Sequence, residues 1–363
     1  MGKLERAKKM GKVEDKAQSV ASTNLWFEIA PQQCPIVYRE EYNVNFGGFE
    51  KLHPFDASKW GNIFEFLIAE GALDSSSVMK PEEATEQDLL VVHSKQYLRN
   101  LKWSWTVSKI AEIPPLALLP NFLVQRFYLR PMRFQTGGSI LAGRLAMKRG
   151  WAINIGGGFH HASAHCGGGF CPYADITLLI QFLYNDANSN VKSAMIVDLD
   201  AHQGNGYQKD FLGNRTVYIM DVYNRSVYPH DEDAKRAIDC KVELESYTSD
   251  ATYLDLVEKN LDKSLNAFEP DILVYNAGTD ILEGDRLGCL SVSAKGILSR
   301  DLLVFQKASE RGIPIVMLTS GGYLKVTAKI IASSILNLHK AGLITLPYEP
   351  DCVVDLAEVL KHQ

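Results

Sequence analysis

No stretch of this chain approaches the run of about 20 apolar residues that a bilayer-crossing helix needs, so no membrane span is expected. Basic excess is also missing. Lys and Arg number 38 against 43 Asp and Glu, a formal net charge of -5, which argues against a general electrostatic grip on nucleic acid. Cysteine is sparse, with six residues at 34, 166, 171, 240, 289 and 352. Cysteines this scattered in a 363-residue chain read as free thiols of a reducing compartment. Cys166 and Cys171 stand among glycines without a second pair, so no structural zinc site is expected there. Repeats, low-complexity runs and Pro/Ser-rich linkers are lacking too. The opening 1–23 has mixed charge and no apolar core, so it reads as a polar flexible tail and not as a secretory signal. Residues 24–363 are expected to form one domain, and hydrophobic content of 46% supplies a sizeable core.

What is present begins with short apolar runs of strand length: Pro35–Tyr38, Ala152–Ile155, Ala194–Leu199, Val217–Val222, Ile272–Tyr275 and Ile313–Leu318. Most lack in-out alternation, the mark of strands buried on both faces. Between them lie helical patterns. Ser139–Lys148 follows a Thr-Gly-Gly turn and stops at Gly150, and Tyr253–Phe268, Ala294–Glu310 and Lys325–His339 carry apolar residues at helical spacing. Alternating strands and helices predict an open, doubly wound, mainly parallel α/β sheet with helices on both faces. In such sheets ligands sit beyond the carboxyl ends of the strands.

Four strand ends carry chemistry. They are Gly156-Gly157-Gly158-Phe159-His160-His161, Asp198-Leu199-Asp200-Ala201-His202, Ala277-Gly278-Thr279-Asp280 and Gly321-Gly322-Tyr323. Asp198, Asp200 and His202 alternate, so all three project to one side while the chain stays extended. Carboxylates at the end of an apolar strand are costly to bury unpaired, and a divalent cation removes that cost. Asp200, His202 and Asp280 would supply three ligands and leave a coordination position open, as catalytic zinc requires. The tandem histidines suit acid–base work, since imidazole titrates near neutrality. His161 and His165 could instead form a metal pair on a helix, but flanking glycines disfavour a helix there. Beside a metal, the Tyr323 phenol can donate to a developing oxyanion.

Together these residues resemble the histone deacetylase family, through GGGFHHASAHCGGGFC (156–171), DLDAHQGNG (198–206), NAGTDILEGDRLG (276–288) and TSGGY (319–323). KLHPFDASKWG (51–61), LPNFLVQR (119–126) and YIMDVYNR (218–225) are similar to class IV, the small single-domain members. The resemblance implies an arginase/deacetylase-like fold and zinc-dependent hydrolysis of acyl-lysine amides in histones or other proteins. It also implies a nuclear or cytoplasmic, chromatin-linked repressor role with co-repressor or other deacetylase subunits. By resemblance, Asp200, His202 and Asp280 bind zinc and His161 is the general base. His160 is held by Asp198, Tyr323 polarises the carbonyl, and Gly169, Phe170 and Tyr228 line an acyl-lysine tunnel. A potassium site at Asp198, Asp200 and Asp221 is implied as well. Asn205 departs from the class I pattern, which has an aspartate supporting a histidine there. An amide stabilises an imidazolium less than a carboxylate does, which implies a weaker His161 base and a slower reaction on a plain acetyl substrate. Separately, the resemblance to class IV raises longer fatty-acyl substrates alongside acetyl.

Three rival readings share parts of this pattern. Arginase-type ureohydrolases share Asp-Ala-His but need another Asp two residues after the His, where Gly204 stands. Small-molecule deacetylases, such as those of acetylpolyamines, use the same fold. A non-catalytic scaffold would have lost a ligand or the tyrosine, and none is lost.

Overall fold

The computed structural model describes residues 15–44 and 56–349. Seven strands form one sheet: β1 (Ile36–Val37), β2 (Trp151–Asn154), β3 (Ala194–Asp198), β4 (Val217–Asn224), β5 (Cys240–Leu244), β6 (Ile272–Asn276) and β7 (Ile315–Leu318). Their spatial order is β1-β2-β7-β6-β3-β4-β5, and every pairing is parallel. The six expected strands are all present. β5 escapes an apolar-run criterion because it is an edge strand that alternates, with Lys241 and Glu243 exposed and Cys240, Val242 and Leu244 buried.

The longer helices are α1 (Lys59–Ala69), α2 (Arg130–Arg149), α3 (Asp175–Asn185), α4 (Asn205–Phe211), α5 (Asp250–Ala267), α6 (Ala294–Glu310) and α7 (Thr327–Lys340). Strand periodicity assigns them to two faces. Ile196, Val274 and Val316 point into one apolar cluster with Leu141 of α2, Leu179 of α3 and Tyr207 of α4. Their sequence neighbours Val197, Tyr275 and Met317 enter a second cluster with Ile63 of α1, Val257 of α5, Ile297 of α6 and Ile331 of α7. Burial on both faces is what suppresses polar alternation in these strands.

Two expectations are corrected. Thr136-Gly137-Gly138 is not a turn but lies inside α2, which begins nine residues before Ser139. The glycines serve close approach instead: a Cβ on Gly138 would fall 1.8 Å from the Tyr42 hydroxyl, and one on Gly137 2.1 Å from the Glu82 carbonyl oxygen. The polar segment is also shorter than 1–23, since residues 15–21 are helical and Val20 is buried in the core. Residues 1–14, 51–55 of the KLHPFDASKWG stretch and 350–363 with Cys352 lie outside the described residues. The five described cysteines are free.

His93 fastens the loop between β2 and α3 to the body of the fold. It is 3% exposed, and its Nε2 accepts from the Ala174 backbone N–H at 3.0 Å. Burial pushes its pKa down to about 4. The unfolded chain therefore binds a proton at higher pH than the folded one. Stability from this residue is full above about pH 6.5 and is lost as pH falls towards 4. At pH 5 the loss comes to about 2 kcal/mol. Urea unfolding at pH 7 and pH 5 should show that His93→Gln, which keeps an acceptor without a titrating ring, has a flatter pH dependence than wild type by this amount.

Candidate active site

β2, β7, β6 and β3 are consecutive neighbours in the sheet, so the four chemistry-bearing strand ends emerge side by side at one edge. After β2 the chain turns through Gly156-Gly157-Gly158. Gly158 has φ +75, and a Cβ there would lie 2.3 Å from Asn276 Oδ1, so the turn admits no side chain. Asp175, fully buried at the start of α3, clasps the turn. Its carboxylate accepts from the N–H groups of Gly158 and Phe159, each at 2.8 Å, and from Ser139 Oγ at 2.6 Å. That clasp delivers His160 and His161 to the site.

Asp200, His202 and Asp280 converge with donor atoms within 4.8 Å of one another, and all three are buried. His202 Nδ1 stands 2.8 Å from Asp280 Oδ2 and 3.2 Å from Asp200 Oδ1. The other carboxylate oxygens are fixed by the protein. Asp200 Oδ2 accepts from Ser320 Oγ (3.0 Å) and Gly321 N–H (3.1 Å), and Asp280 Oδ1 accepts from Ala201 N–H (2.9 Å). Burial and the neighbouring Asp200 push Asp280 up to about 7. This donor set of two oxygens and one nitrogen, closely spaced and shut away from water, fits a divalent cation.

His160 donates through Nδ1 to Asp198 Oδ2 at 2.9 Å. Burial opposes its charge, but Asp200 and Asp198 outweigh burial and push it up to about 9. A cation among the three ligands would offset that anionic field. His161 Nδ1 faces Asn205 Oδ1 at 2.9 Å, and burial, His160 and His202 hold it well below the usual imidazole range. Two adjacent histidines are thus pushed in opposite directions: carboxylates outweigh burial at His160, whereas the Asn205 amide does not outweigh burial and the neighbouring imidazoles at His161.

A cavity of about 90 Å³ opens over this cluster, lined by His160, His161, Asp200, Gly169, Phe170 and Tyr323. Beyond them its walls are apolar, including Trp60, Leu116 and Met132. Tyr323 is anchored by its N–H to Asp285 Oδ2 at 3.1 Å, and its ring meets Phe170 edge to face at 6.0 Å. Burial and then Asp280 and Asp200 raise its phenol pKa, so the hydroxyl keeps its proton as a donor. Gly169 packs on the His161 ring, where a Cβ would lie 2.3 Å from Cδ2. The half-exposed Tyr228 ring sits 4.9 Å from that of His161. Every proposed site residue but one therefore gathers round the cavity or the carboxylate cluster. The exception is Asp221, which lies behind, opposite Asp198 in the β3–β4 register.

Sequence reasoning missed several supports. Lys59 is fully buried and donates to the carbonyl oxygens of Ser320 and Gly321. Burial pushes it down to about 8 against the pull of Asp280 and Asp200. Arg300, buried inside α6, donates to the carbonyl oxygens of Leu199 (3.2 Å) and Gly278 (2.5 Å). Asp175 could have been suspected as an acid opening the apolar run DITLLIQFL. A charged residue inside a helical pattern, such as Lys59 or Arg300, gives no such signal.

Comparison with known proteins decides the family. The histone deacetylase domain family matches residues 53–338. The chain belongs to the histone deacetylase family. As a member it is a hydrolase of acetyl-lysine amides. The deacetylase is 50% identical over 327 residues to "Histone deacetylase 2" of Arabidopsis thaliana, covering 90% of this chain and 84% of that one. Its fold is similar to that of the HDA15 HD domain, with TM-score 0.70 and 20% identity, covering 90% and 94% of the two chains. It is also similar to the acetylpolyamine aminohydrolase of Burkholderia pseudomallei, with TM-score 0.65 and 18% identity, covering 84% and 98%.

Replacing Asp280 by Ala removes one cation donor and leaves the Ala201 N–H without its acceptor. Elemental analysis of purified Asp280→Ala should show metal well below one equivalent while wild type holds about one. Stoichiometric metal in the variant would refute the ligand set.

Proposed function

We propose that this deacetylase hydrolyses the amide of Nε-acyl-lysine in protein substrates, histone tails among them, using zinc held by Asp200, His202 and Asp280. The observation that carries the reading is the three-donor cluster whose Asp200 lines a cavity walled by a histidine pair and a phenol. Zinc at these donors supplies Lewis-acid polarisation of the scissile carbonyl and acidifies a water.

The remaining work falls to the chain. Gly169, Phe170 and Tyr228 admit a slender side chain and hold its carbonyl near Tyr323. The Tyr323 hydroxyl donates to the carbonyl oxygen as negative charge builds there. His161, neutral and with Nδ1 engaged by Asn205, takes the proton of the attacking water on Nε2 and returns it to the departing lysine amine. His160 stays tied to Asp198 and stabilises charge beside it.

The finer readings are part of the same proposal. Class IV membership is supported by the stretches at 51–61, 119–126 and 218–225. A fatty-acyl substrate is supported by the apolar walls around Trp60, Leu116 and Met132. A potassium ion near Asp198, Asp200 and Asp221 is supported by Asp221 Oδ1, which is buried without a hydrogen-bond partner. A chromatin-linked repressor role, with co-repressor subunits and nuclear or cytoplasmic residence, is supported by family membership alone.

Two measurements test the proposal. Tyr323→Phe should keep bound metal and fold while kcat on an acyl-lysine peptide falls about 100- to 1000-fold; activity near wild type would remove the role. A panel of lysine peptides differing only in acyl chain, with acetylpolyamines alongside, should show chelator-sensitive turnover of peptides, favouring chains longer than acetyl. Turnover of the polyamines alone would assign the enzyme to small molecules.

A further inference from the structure

We infer that Asp231 is a positioning residue for the proposed base, acting through Asn205 to decide which nitrogen of His161 carries the proton. The inference rests on the reading of His161 given above.

An amide side chain presents an oxygen at one end and an NH2 group at the other, and an imidazole can face either one. The orientation of Asn205 is therefore not set by His161. It is set behind. Asn205 Nδ2 donates to Asp231 Oδ2 at 3.1 Å, while its Oδ1 faces His161 Nδ1 at 2.9 Å. Turning the amide over would bring Asn205 Oδ1 against a carboxylate oxygen, two acceptors in contact. The carboxylate thus forces the amide oxygen towards His161. A neutral imidazole carries one proton, so that proton sits on Nδ1 and the Nε2 lone pair is left facing the cavity.

Asp231 is itself held on several sides. Its N–H donates to Gln203 Oε1 (3.1 Å), and its carbonyl oxygen accepts from Gln203 Nε2 (3.0 Å). Oδ1 accepts from the Ala234 N–H (3.1 Å) and Oδ2 also pairs with Lys209 Nζ (2.6 Å). Because Lys209 and Asn205 share a helix, α4, the ion pair fixes the carboxylate relative to the amide it orients. The weakness of an amide in place of a second aspartate is met in this way. The carboxylate is present, one residue further out.

The test uses the metal-loaded enzyme and the variant Asp231→Ser, whose hydroxyl still caps the Ala234 N–H but is too short for Asn205. In the wild-type background kcat should fall about 10- to 100-fold, with KM within about twofold and metal content unchanged. In an Asn205→Asp background either oxygen of residue 205 accepts from Nδ1, so Asp231→Ser should cost nothing, and should help by removing a repulsive carboxylate. ¹⁵N NMR of histidine-labelled protein, with the His161 signals assigned by their loss in His161→Gln, should show Nδ1–H in wild type and mixed tautomers in Asp231→Ser. An unchanged kcat and unchanged tautomer, or an equal loss in both backgrounds, would overturn the inference. Should wild type and His161→Gln prove equally active, the base assignment fails instead, and the NMR signal still reports what Asp231 does.

Discussion

Two carboxylates and an imidazole, shut away from water with donor atoms within 4.8 Å of one another, are the constraint around which this structure is arranged. Ionised carboxylates in a low-dielectric interior repel one another and each loses its hydration. The protein offsets part of that cost with backbone and hydroxyl donors: Ser320 and Gly321 on Asp200, and Ala201 on Asp280. The rise of Asp280 to about 7 shows what is left over. A dication at these donors would turn that residual repulsion into attraction, which favours the cluster as a cation site over a hydrogen-bonded acid pair.

Delivering such a cluster needs several chain segments to arrive at one point from different places in the sequence. A parallel sheet does this because all its strands end at the same edge. Neighbouring strands lie about 4.8 Å apart, so the ends of β2, β7, β6 and β3 span only about 14 Å. The fold and the chemistry are linked through strand order: a different order would separate Tyr323 from Asp280. Helix packing on both faces fixes that order, and the same packing makes the strands continuously apolar up to the first polar residue of the site.

That link explains what was legible. Strands buried on both faces announce themselves as apolar runs, and catalytic groups stand where the runs break, so Asp200, His202, Asp280 and Tyr323 could be found from position alone. Their convergence required the fold class as an added premise. Hidden were features whose cause is distant in sequence. Gly137 and Gly138 read as a turn, although Glu82 and Tyr42, far away in the chain, require them within a helix. β5 was silent because an edge strand keeps its polar alternation. Asp231 gave no signal because its partner, Asn205, lies on another element 26 residues away.

Arg300 shows how the ligand geometry is held from behind. Its charge is matched by Asp301, with Nη2 2.9 Å from Oδ1. Its Nη1 spends its hydrogen bonds on the carbonyl oxygens of Leu199 and Gly278, which stand one residue before Asp200 and two before Asp280. One nitrogen of a rigid guanidinium thus joins the two strand ends that carry Asp200 and Asp280. Binding a cation then requires little rearrangement of the backbone, and less conformational entropy is lost on binding than if two free loops had to close on the ion. The site is in this sense assembled by the core, and its reactive groups are the last few atoms of a structure already fixed by packing.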